Sequence, residues 1–177
     1  MRPRDGFCWT AKLGRQAPMS EVRGTGTAPG GRFAVVVSRF NEEITEGLLR
    51  GARQALAEAL VSDADVTVMR VPGAFEIPIT ALRAAETGHF DAVICIGCVI
   101  KGETMHFEYI AGTVCQAIAD AASATGVPIA LGVLTTLTEE QAIARAADGP
   151  GNKGREAALA AVEMATLFRQ LHQGTGE

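Results

Sequence analysis

The chain has 177 residues, of which 47% are hydrophobic, 20% charged and 5% aromatic, and its formal net charge is −4. This length suits one domain of ordinary size, and the high apolar content with a small net charge excludes disorder as the dominant state. The longest apolar run, Ala92–Ile100, is far shorter than the ~20 residues of a membrane-spanning helix, so we predict that no membrane is a partner.

The first 31 residues differ in charge from the rest of the chain. They carry five basic and two acidic side chains and sum to +3, which leaves −7 for residues 32–177. They lack hydrophobic periodicity and the apolar region of a secretory signal, and they end in the glycine-rich linker Gly24–Gly31. We therefore predict a disordered or loosely attached arm over residues 1–31, with Met19 as an alternative start, and a single domain over residues 32–177. The acidic body argues against nucleic acid as a partner.

The predicted elements begin with a short apolar run at Phe33–Ser38, which is typical of a strand buried on both sheet faces. An amphipathic stripe then predicts a helix over Glu42–Leu60. A second strand is predicted over Asp65–Val71, where a proline–glycine pair ends it. A helix pattern follows from about Phe75 to Glu86.

The second half of the chain repeats this alternation. A third strand over Asp91–Val99 precedes a helix over Thr104–Thr125, and a fourth strand over Pro128–Leu134 precedes helices over Thr138–Ala147 and Lys153–Leu171. Alternating strands and helices predict βαβ units with right-handed crossovers. We therefore predict an α/β fold: a three-layer αβα sandwich with a four-stranded parallel sheet in the flavodoxin-like order 2-1-3-4, preceded by a flexible arm.

The unusual loops all follow strands. They cover residues 38–41, 71–78, 97–106 and 135–136, so a parallel sheet places them along its carboxyl edge. Ligands of open α/β sheets bind at this edge, near the point where the strand order reverses. The sequence therefore predicts a binding site there.

One histidine, His106, is predicted at this edge, in the first turn of a helix. An imidazole exchanges protons near neutral pH, which suits proton transfer, although a surface or capping histidine occupies such a position equally well. His89 and His172 fall in a turn and a tail, where we expect both to be exposed to solvent.

Basic and glycine residues indicate an anion site. Lys101–Thr104 combines a glycine with a helix start, whose free N–H groups and threonine hydroxyl suit a phosphate, but a plain N-cap at Thr104 fits the same pattern. Glu103 repels a phosphate unless its side chain points away. Arg145 and Lys153 flank a Gly-Pro-Gly loop, where they either hold an anion or form a solvated helix end and start.

Two phenylalanines, Phe40 and Phe75, are predicted at the same edge. In a chain with few aromatics they suggest stacking on a flat ring, whereas a place in the core is the alternative for each. No phosphate-binding P-loop, dinucleotide fingerprint, nucleophile elbow or metal-ligand spacing is present, which disfavours metal hydrolysis and serine-type acyl transfer.

The cysteines do not form a disulfide framework in a chain of this length. Cys95 and Cys98 match C-x-x-C, but positions three apart on a strand point to opposite faces. We therefore predict buried, inert thiols in a reducing compartment, and a cytoplasmic location.

Six segments in order, at matching spacing, resemble the 6,7-dimethyl-8-ribityllumazine synthase family of riboflavin biosynthesis. The resemblance runs from about Phe33 to Leu171 without apparent gaps. Its strongest segments are Phe40-Asn41, Val71–Pro78, Gly97–Tyr109, Gly132–Thr135, Gln141–Arg145 and Gly151–Gly154.

The resemblance implies a transferase that condenses two small-molecule substrates, 5-amino-6-(D-ribitylamino)uracil and 3,4-dihydroxy-2-butanone 4-phosphate, with no cofactor and no metal. Two rival functions remain open. One is an archaeal-type riboflavin synthase that dismutates two lumazines. The other is a non-catalytic flavin-binding or shell-forming scaffold.

The resemblance also implies residue roles. His106 transfers protons and Phe40 stacks on the pyrimidine. Glu103 and Thr104 bind the phosphate through backbone N–H groups, together with Arg145, and Lys153 supports that end. The ribityl chain and the ring edge are held by Ala74, Phe75, Glu76, Cys98, Val99 and Ile100.

Family sites lie between adjacent subunits of a pentamer, so Leu131, Arg145 and Lys153 are expected to come from the neighbour of the subunit that supplies His106. Family pentamers stay alone, pair, or form sixty-subunit icosahedral shells, and riboflavin synthase is a candidate partner. The family usually has phenylalanine where Leu131 stands, so ring stacking is lost there. The loop Asp148–Gly151 also departs from a lysine-containing form of the shell builders.

Overall fold

Four strands alternate with helices in the computed structural model of the chain, in which residues 21–174 are described. The strands are β1 (Phe33–Ser38), β2 (Val66–Val71), β3 (Ala92–Ile100) and β4 (Ile129–Thr136). Each pair of neighbouring strands is parallel, and the strands follow the order β2-β1-β3-β4. The predicted parallel sheet in the order 2-1-3-4 is confirmed.

Helices cover both faces of this sheet. They are α1 (Glu42–Glu58), α2 (Ile77–Glu86), α3 (His106–Thr125), α4 (Glu139–Ala146) and α5 (Lys153–Gly174). Side chains of α1, α4 and α5 form one apolar core with the sheet, and those of α2 and α3 form a second core on the opposite face. These are the three layers predicted from the sequence. Within residues 21–174, no helix combines the length and apolar content needed to cross a membrane.

Strand burial follows the predicted pattern. All six residues of β1 are buried, as expected for a central strand covered on both faces. On β3, Cys95 packs into the α2–α3 core and Cys98 into the α1–α5 core, so the two thiols face opposite sides. Both are free cysteines, as is the half-buried Cys115, whereas Cys8 lies outside the described residues.

Several element boundaries differ from prediction. β3 and β4 stay paired as far as Ile100 and Thr136, so the predicted loop over residues 135–136 is wrong and the loop after β3 begins only at Lys101. Gly97 belongs to the strand, where it pairs with Val133 of β4. Glycine suits this place because Ile77 Cδ1 lies only 2.8 Å from the position of an added Cβ. α3 begins at His106 rather than Thr104.

The segment after β2 also differs from the predicted continuous helix. Ala74–Glu76 forms one 3-10 turn, and α2 begins at Ile77 with Pro78 in its first turn. Proline suits that place because the first turn of a helix has no partner for its N–H groups. At the sheet edge, β2 is therefore connected to α2 through a separate 3-10 turn, where the sequence predicted the start of the helix itself.

Helices α1 and α5 cross at very short range beside the α4–α5 connection. A Cβ added to Gly154 would lie 2.0 Å from the carbonyl oxygen of Leu48, and one added to Gly47 would lie 2.7 Å from that of Ala146. Gly154 thus lets α5 approach α1 closely, and Gly47 does the same between α1 and the end of α4.

Residues 1–20 of the predicted arm lie outside the described residues, but its last part contacts the body. The backbone N–H of Thr25 donates to Thr166 Oγ1 over 2.8 Å, and Gln170 Nε2 donates to the carbonyl oxygen of Arg23 over 2.9 Å. Ala28 is 1% exposed and donates its N–H to the carbonyl oxygen of Ala59. The division of the chain at residue 31 stays a prediction.

Candidate active site

A cavity of about 390 Å³ lies at the carboxyl ends of β1 and β3, where the strand order reverses. The predicted site residues that line it are Phe40, Ala74, Phe75, Glu76, Cys98, Val99, Ile100, Thr104 and His106. We call this set of residues the histidine half-site.

The two predicted aromatic residues are surface residues of this half-site. Phe40 is 68% exposed and Phe75 62% exposed, so neither fills the core. The backbone N–H of Phe40 donates to the carbonyl oxygen of Pro72 over 3.2 Å, which ties the end of β1 to the end of β2. Two exposed rings beside one cavity suit contact with a flat ligand.

Asn41 shapes the entry to α1. Its backbone lies in the left-handed region, with φ of 58°, and its side-chain Nδ2 donates to the carbonyl oxygen of Cys98 over 3.0 Å. Asparagine tolerates this conformation better than most residues. The bond therefore fixes the loop that carries Phe40 against β3.

Glu76 holds the turn after β2. Its Oε2 accepts a 2.9 Å hydrogen bond from the backbone N–H of Gly73, three residues earlier. This bond closes the turn from within, and it keeps the backbone of Ala74 and Phe75 at the cavity wall.

The start of α3 provides free donors. The N-cap is Met105, which makes no side-chain cap hydrogen bond, so the alternative of a capping Thr104 is not what the structure shows. The first N–H groups of a helix lack partners within the helix and attract anions. His106 is the first residue of α3 and is exposed at the same cavity.

An ion pair spans the loop before α3. Lys101 Nζ lies 2.9 Å from Glu108 Oε1, and the ammonium group lowers the pKa of this carboxyl group. Glu103, between them in sequence, is exposed and does not line the cavity, in contrast to Thr104. Glu103 is therefore not brought to the cavity wall in one chain, and its role in phosphate binding stays a prediction.

Burial sets the chemistry of the cavity cysteine. It raises the pKa of Cys98 to about 11, although the nearby side-chain amide of Asn41 acts on the thiol in the opposite direction. The thiol is therefore protonated at neutral pH and is a poor nucleophile. Cys98 contributes a wall to the half-site and no reactive group.

Three further predicted residues lie in a second cavity, of about 230 Å³. Leu131 on β4, Arg145 near the end of α4 and Lys153 at the start of α5 line it, and we call this set the cation half-site. Leu131 is 50% exposed on the edge strand. One chain thus does not bring Arg145 and Lys153 into the cavity that holds His106.

The two cations are each held within their own helix. Arg145 Nη1 donates to the carbonyl oxygen of Gln141 over 3.0 Å, and Lys153 Nζ donates to both carboxylate oxygens of Glu156 over 2.7 Å. Both cations keep donors free, because a guanidinium has five N–H donors and an ammonium three. The half-site therefore suits an anion.

Two cavity residues escaped the sequence analysis. Phe107 and Ile110, on α3, line the histidine half-site beside His106. Their spacing of three, continued by the buried Val114, is the inward stripe of a helix and is the signal that predicts them. Within residues 21–174, no group of three or more histidine, cysteine or acidic side chains is placed to hold a metal ion.

Comparison with known protein families shows to which family the chain belongs. Residues 30–169 match the family model described as 6,7-dimethyl-8-ribityllumazine synthase. The chain belongs to this family. The match covers all four strands, the first four helices and most of α5, and so both half-sites.

Membership in the lumazine synthase family places the chain in riboflavin biosynthesis, as a transferase that acts on small molecules. The resemblance predicted from six sequence segments is thereby confirmed. Membership in the family also implies assembly into oligomers.

Proposed function

We propose that the chain is a 6,7-dimethyl-8-ribityllumazine synthase that condenses 5-amino-6-(D-ribitylamino)uracil with 3,4-dihydroxy-2-butanone 4-phosphate. The observation that carries the proposal is the division of the predicted residues. Those expected from one subunit, Glu103 excepted, line the cavity of His106, and those expected from its neighbour line the cavity of Arg145. Adjacent subunits of a pentamer would join the two half-sites into one complete site.

The histidine half-site suits the pyrimidine substrate. Phe40 and Phe75 offer exposed rings for stacking, and the ends of β2 and β3 offer backbone groups along Ala74 and Val99 for the ribityl chain and the ring edge. Leu131 of the neighbour would close the far side of the ring. Leucine gives an apolar contact there without stacking.

The phosphate substrate is expected at the junction of the half-sites. The uncapped start of α3 supplies N–H donors near Glu103 and Thr104, and Arg145 and Lys153 supply positive charge from the neighbour. This arrangement stabilises the phosphate both while it is bound and as it leaves.

The reaction needs proton transfers and no redox step. The pyrimidine amine attacks the ketone and one water leaves to form an imine. Inorganic phosphate is then eliminated, and the second nitrogen closes the ring as a second water leaves. His106 is placed to carry protons at these steps, because its imidazole stands at the cavity beside the phosphate donors. Holding two substrates together supplies much of the rate.

The test is an incubation of the purified protein with both substrates while lumazine fluorescence and inorganic phosphate are recorded. Fluorescence that grows in step with phosphate supports the proposal, with samples lacking either substrate as controls. Conversion of lumazine into riboflavin without the phosphate substrate would instead indicate a riboflavin synthase. No product with both substrates present would contradict the proposal and favour a binding scaffold.

A further inference from the structure

Asn152 is a buried polar residue between α4 and α5, and it is 1% exposed. Its Nδ2 donates to the carbonyl oxygens of Gly47 at 3.0 Å, Ala146 at 2.9 Å and Ala147 at 3.2 Å. Its Oδ1 accepts from the backbone N–H groups of Gly154 at 2.9 Å and Arg155 at 3.0 Å. One amide therefore joins α1, the end of α4 and the start of α5.

The two cations of the cation half-site are close to Asn152 in the sequence. Arg145 directly precedes Ala146, whose carbonyl oxygen accepts from Asn152, and Lys153 directly follows Asn152. The connection between the two helices is Asp148–Asn152, an exposed glycine–proline turn apart from Asn152 itself. The amide, rather than the turn, is the buried link between the two cations.

The cations also depend on their helices for position. Arg145 donates to the carbonyl oxygen of its own helix residue Gln141, and Lys153 pairs with Glu156 of its own helix. Each charged group is thus held at a fixed place on its own helix. The spacing between the two positive charges then follows the spacing between the end of α4 and the start of α5, which Asn152 sets.

From these contacts we infer that Asn152 is a positioning residue for recognition of the phosphate substrate. It joins the two helices that carry Arg145 and Lys153 to one cavity, and being buried it makes no contact with substrate itself. The inference rests on the proposed function and adds a specific expectation. Loss of the amide will weaken use of the phosphate substrate more than use of the pyrimidine.

The variant Asn152→Ser distinguishes the role of Oδ1, which accepts hydrogen bonds at the start of α5, from that of Nδ2, which donates to α1 and to the end of α4. A serine Oγ caps the start of α5 much as Oδ1 does, but it cannot replace the contacts that the two N–H groups of Nδ2 make with three carbonyl oxygens. Steady-state kinetics are to be measured with each substrate varied in turn. The KM for the butanone phosphate should rise about tenfold while the KM for the pyrimidine stays within about twofold. A rise of this size lies below the roughly hundredfold that a misplacement of about 1 Å can cost.

Thr166→Ala is the matched control. Thr166 is also a buried polar residue of α5, and its Oγ1 bonds to Thr25 and to its own helix, far along the chain from both cations. Its loss should lower the thermal midpoint without changing either KM. Asn152→Gly serves as a second variant, since glycine is a tolerated N-cap that lacks the side chain altogether.

Each result decides the inference. Equal changes in both KM values, no change in either, or the same split in Thr166→Ala would overturn it. Failure of both Asn152 variants to fold would also overturn it, because the residue would then hold the whole fold rather than the half-site. A wild-type protein that forms no lumazine would instead contradict the proposed function, and the wild-type reaction is therefore run first.

Discussion

Asn41 Nδ2 donates a 3.0 Å hydrogen bond to the carbonyl oxygen of Cys98, and this bond joins the loop after β1 to the end of β3. The two strands are neighbours in the sheet, with the switch in strand order between them. The exposed ring of Phe40 precedes Asn41 directly, so its position depends on the same bond. The histidine half-site is thus held by the sheet rather than by loops alone.

Replacement of His106 by alanine is expected to lower kcat about a hundredfold, because proton transfer by a placed side chain contributes 10²–10⁴-fold. The measurement is lumazine formation at saturating substrates. His89→Ala is the control, since His89 is exposed in the turn after α2 and should have no effect. Equal activity of His106→Ala and wild type would remove His106 from the mechanism.

Replacement of Arg145 by alanine is expected to act on the phosphate substrate. Loss of a charge-assisted hydrogen bond worth about 1.5–3 kcal/mol raises the KM for the butanone phosphate about ten- to hundredfold. The KM for the pyrimidine should change little. Arg83→Ala removes an exposed arginine on α2 and is the comparison. Unchanged kinetics in Arg145→Ala would show that its assignment is wrong.

Mixed oligomers test whether sites form between subunits. When His106→Ala and Arg145→Ala chains are unfolded together and refolded, random mixing gives about one quarter of sites two intact halves. Activity should therefore exceed that of either variant refolded alone. A mixture of His106→Ala with Phe40→Ala is the control, because both changes fall in the same half-site and no pairing restores it. Equal activity in the two mixtures would contradict sites between subunits.

The buried thiols are expected to resist alkylation. Burial raises the pKa of Cys95 to about 12 and that of Cys98 to about 11, from a usual value near 9. The folded state binds these protons more tightly, so this contribution to stability is complete below pH 9 and is lost as the pH rises towards 11 and 12. Peptide mapping after iodoacetamide treatment at pH 8 should find both thiols unmodified until urea unfolds the protein. Modification in the folded protein at pH 8 would contradict their burial.

Removal of residues 21–31 is expected to lower the free energy of unfolding. A chain that begins at residue 32 loses buried Ala28 and the hydrogen bonds of Arg23 and Thr25 to α5, at roughly 1 kcal/mol for each bond. Urea unfolding of this chain is to be compared with that of a chain that begins at residue 21. Equal stability would support the predicted division of the chain at residue 31.

The sheet order was predictable because it follows from a few strong rules. Alternating strands and helices leave few right-handed topologies, and the apolar run of β1 indicated a central strand before any pairing was known. The opposite faces of Cys95 and Cys98 followed from the strand period alone. The geometry of a strand and the hand of a βαβ crossover vary little among proteins, so both features can be predicted without knowledge of distant contacts.

Element ends were less predictable because they depend on tertiary pairing. β4 continues to Thr136 since β3 supplies a partner up to Ile100, and nothing in the local sequence signals that extension. The role of Asn152 is likewise invisible in sequence, because its partners include Gly47, 105 residues away. The separation of Leu131, Arg145 and Lys153 from His106 was expected only from the family resemblance, and no local pattern in the sequence indicates it.

The contact between Thr25 and Thr166 joins residues 141 positions apart. During synthesis Thr25 leaves the ribosome long before α5 exists, so its hydrogen bond can form only after nearly all of the chain has emerged. The sheet can assemble earlier, because β1 to β4 end at Thr136. Closure of the amino-terminal segment onto α5 is therefore a late event in the synthesis of each subunit. A ribosome that stalls before α5 would leave the backbone groups of Arg23 and Thr25 without their partners on that helix.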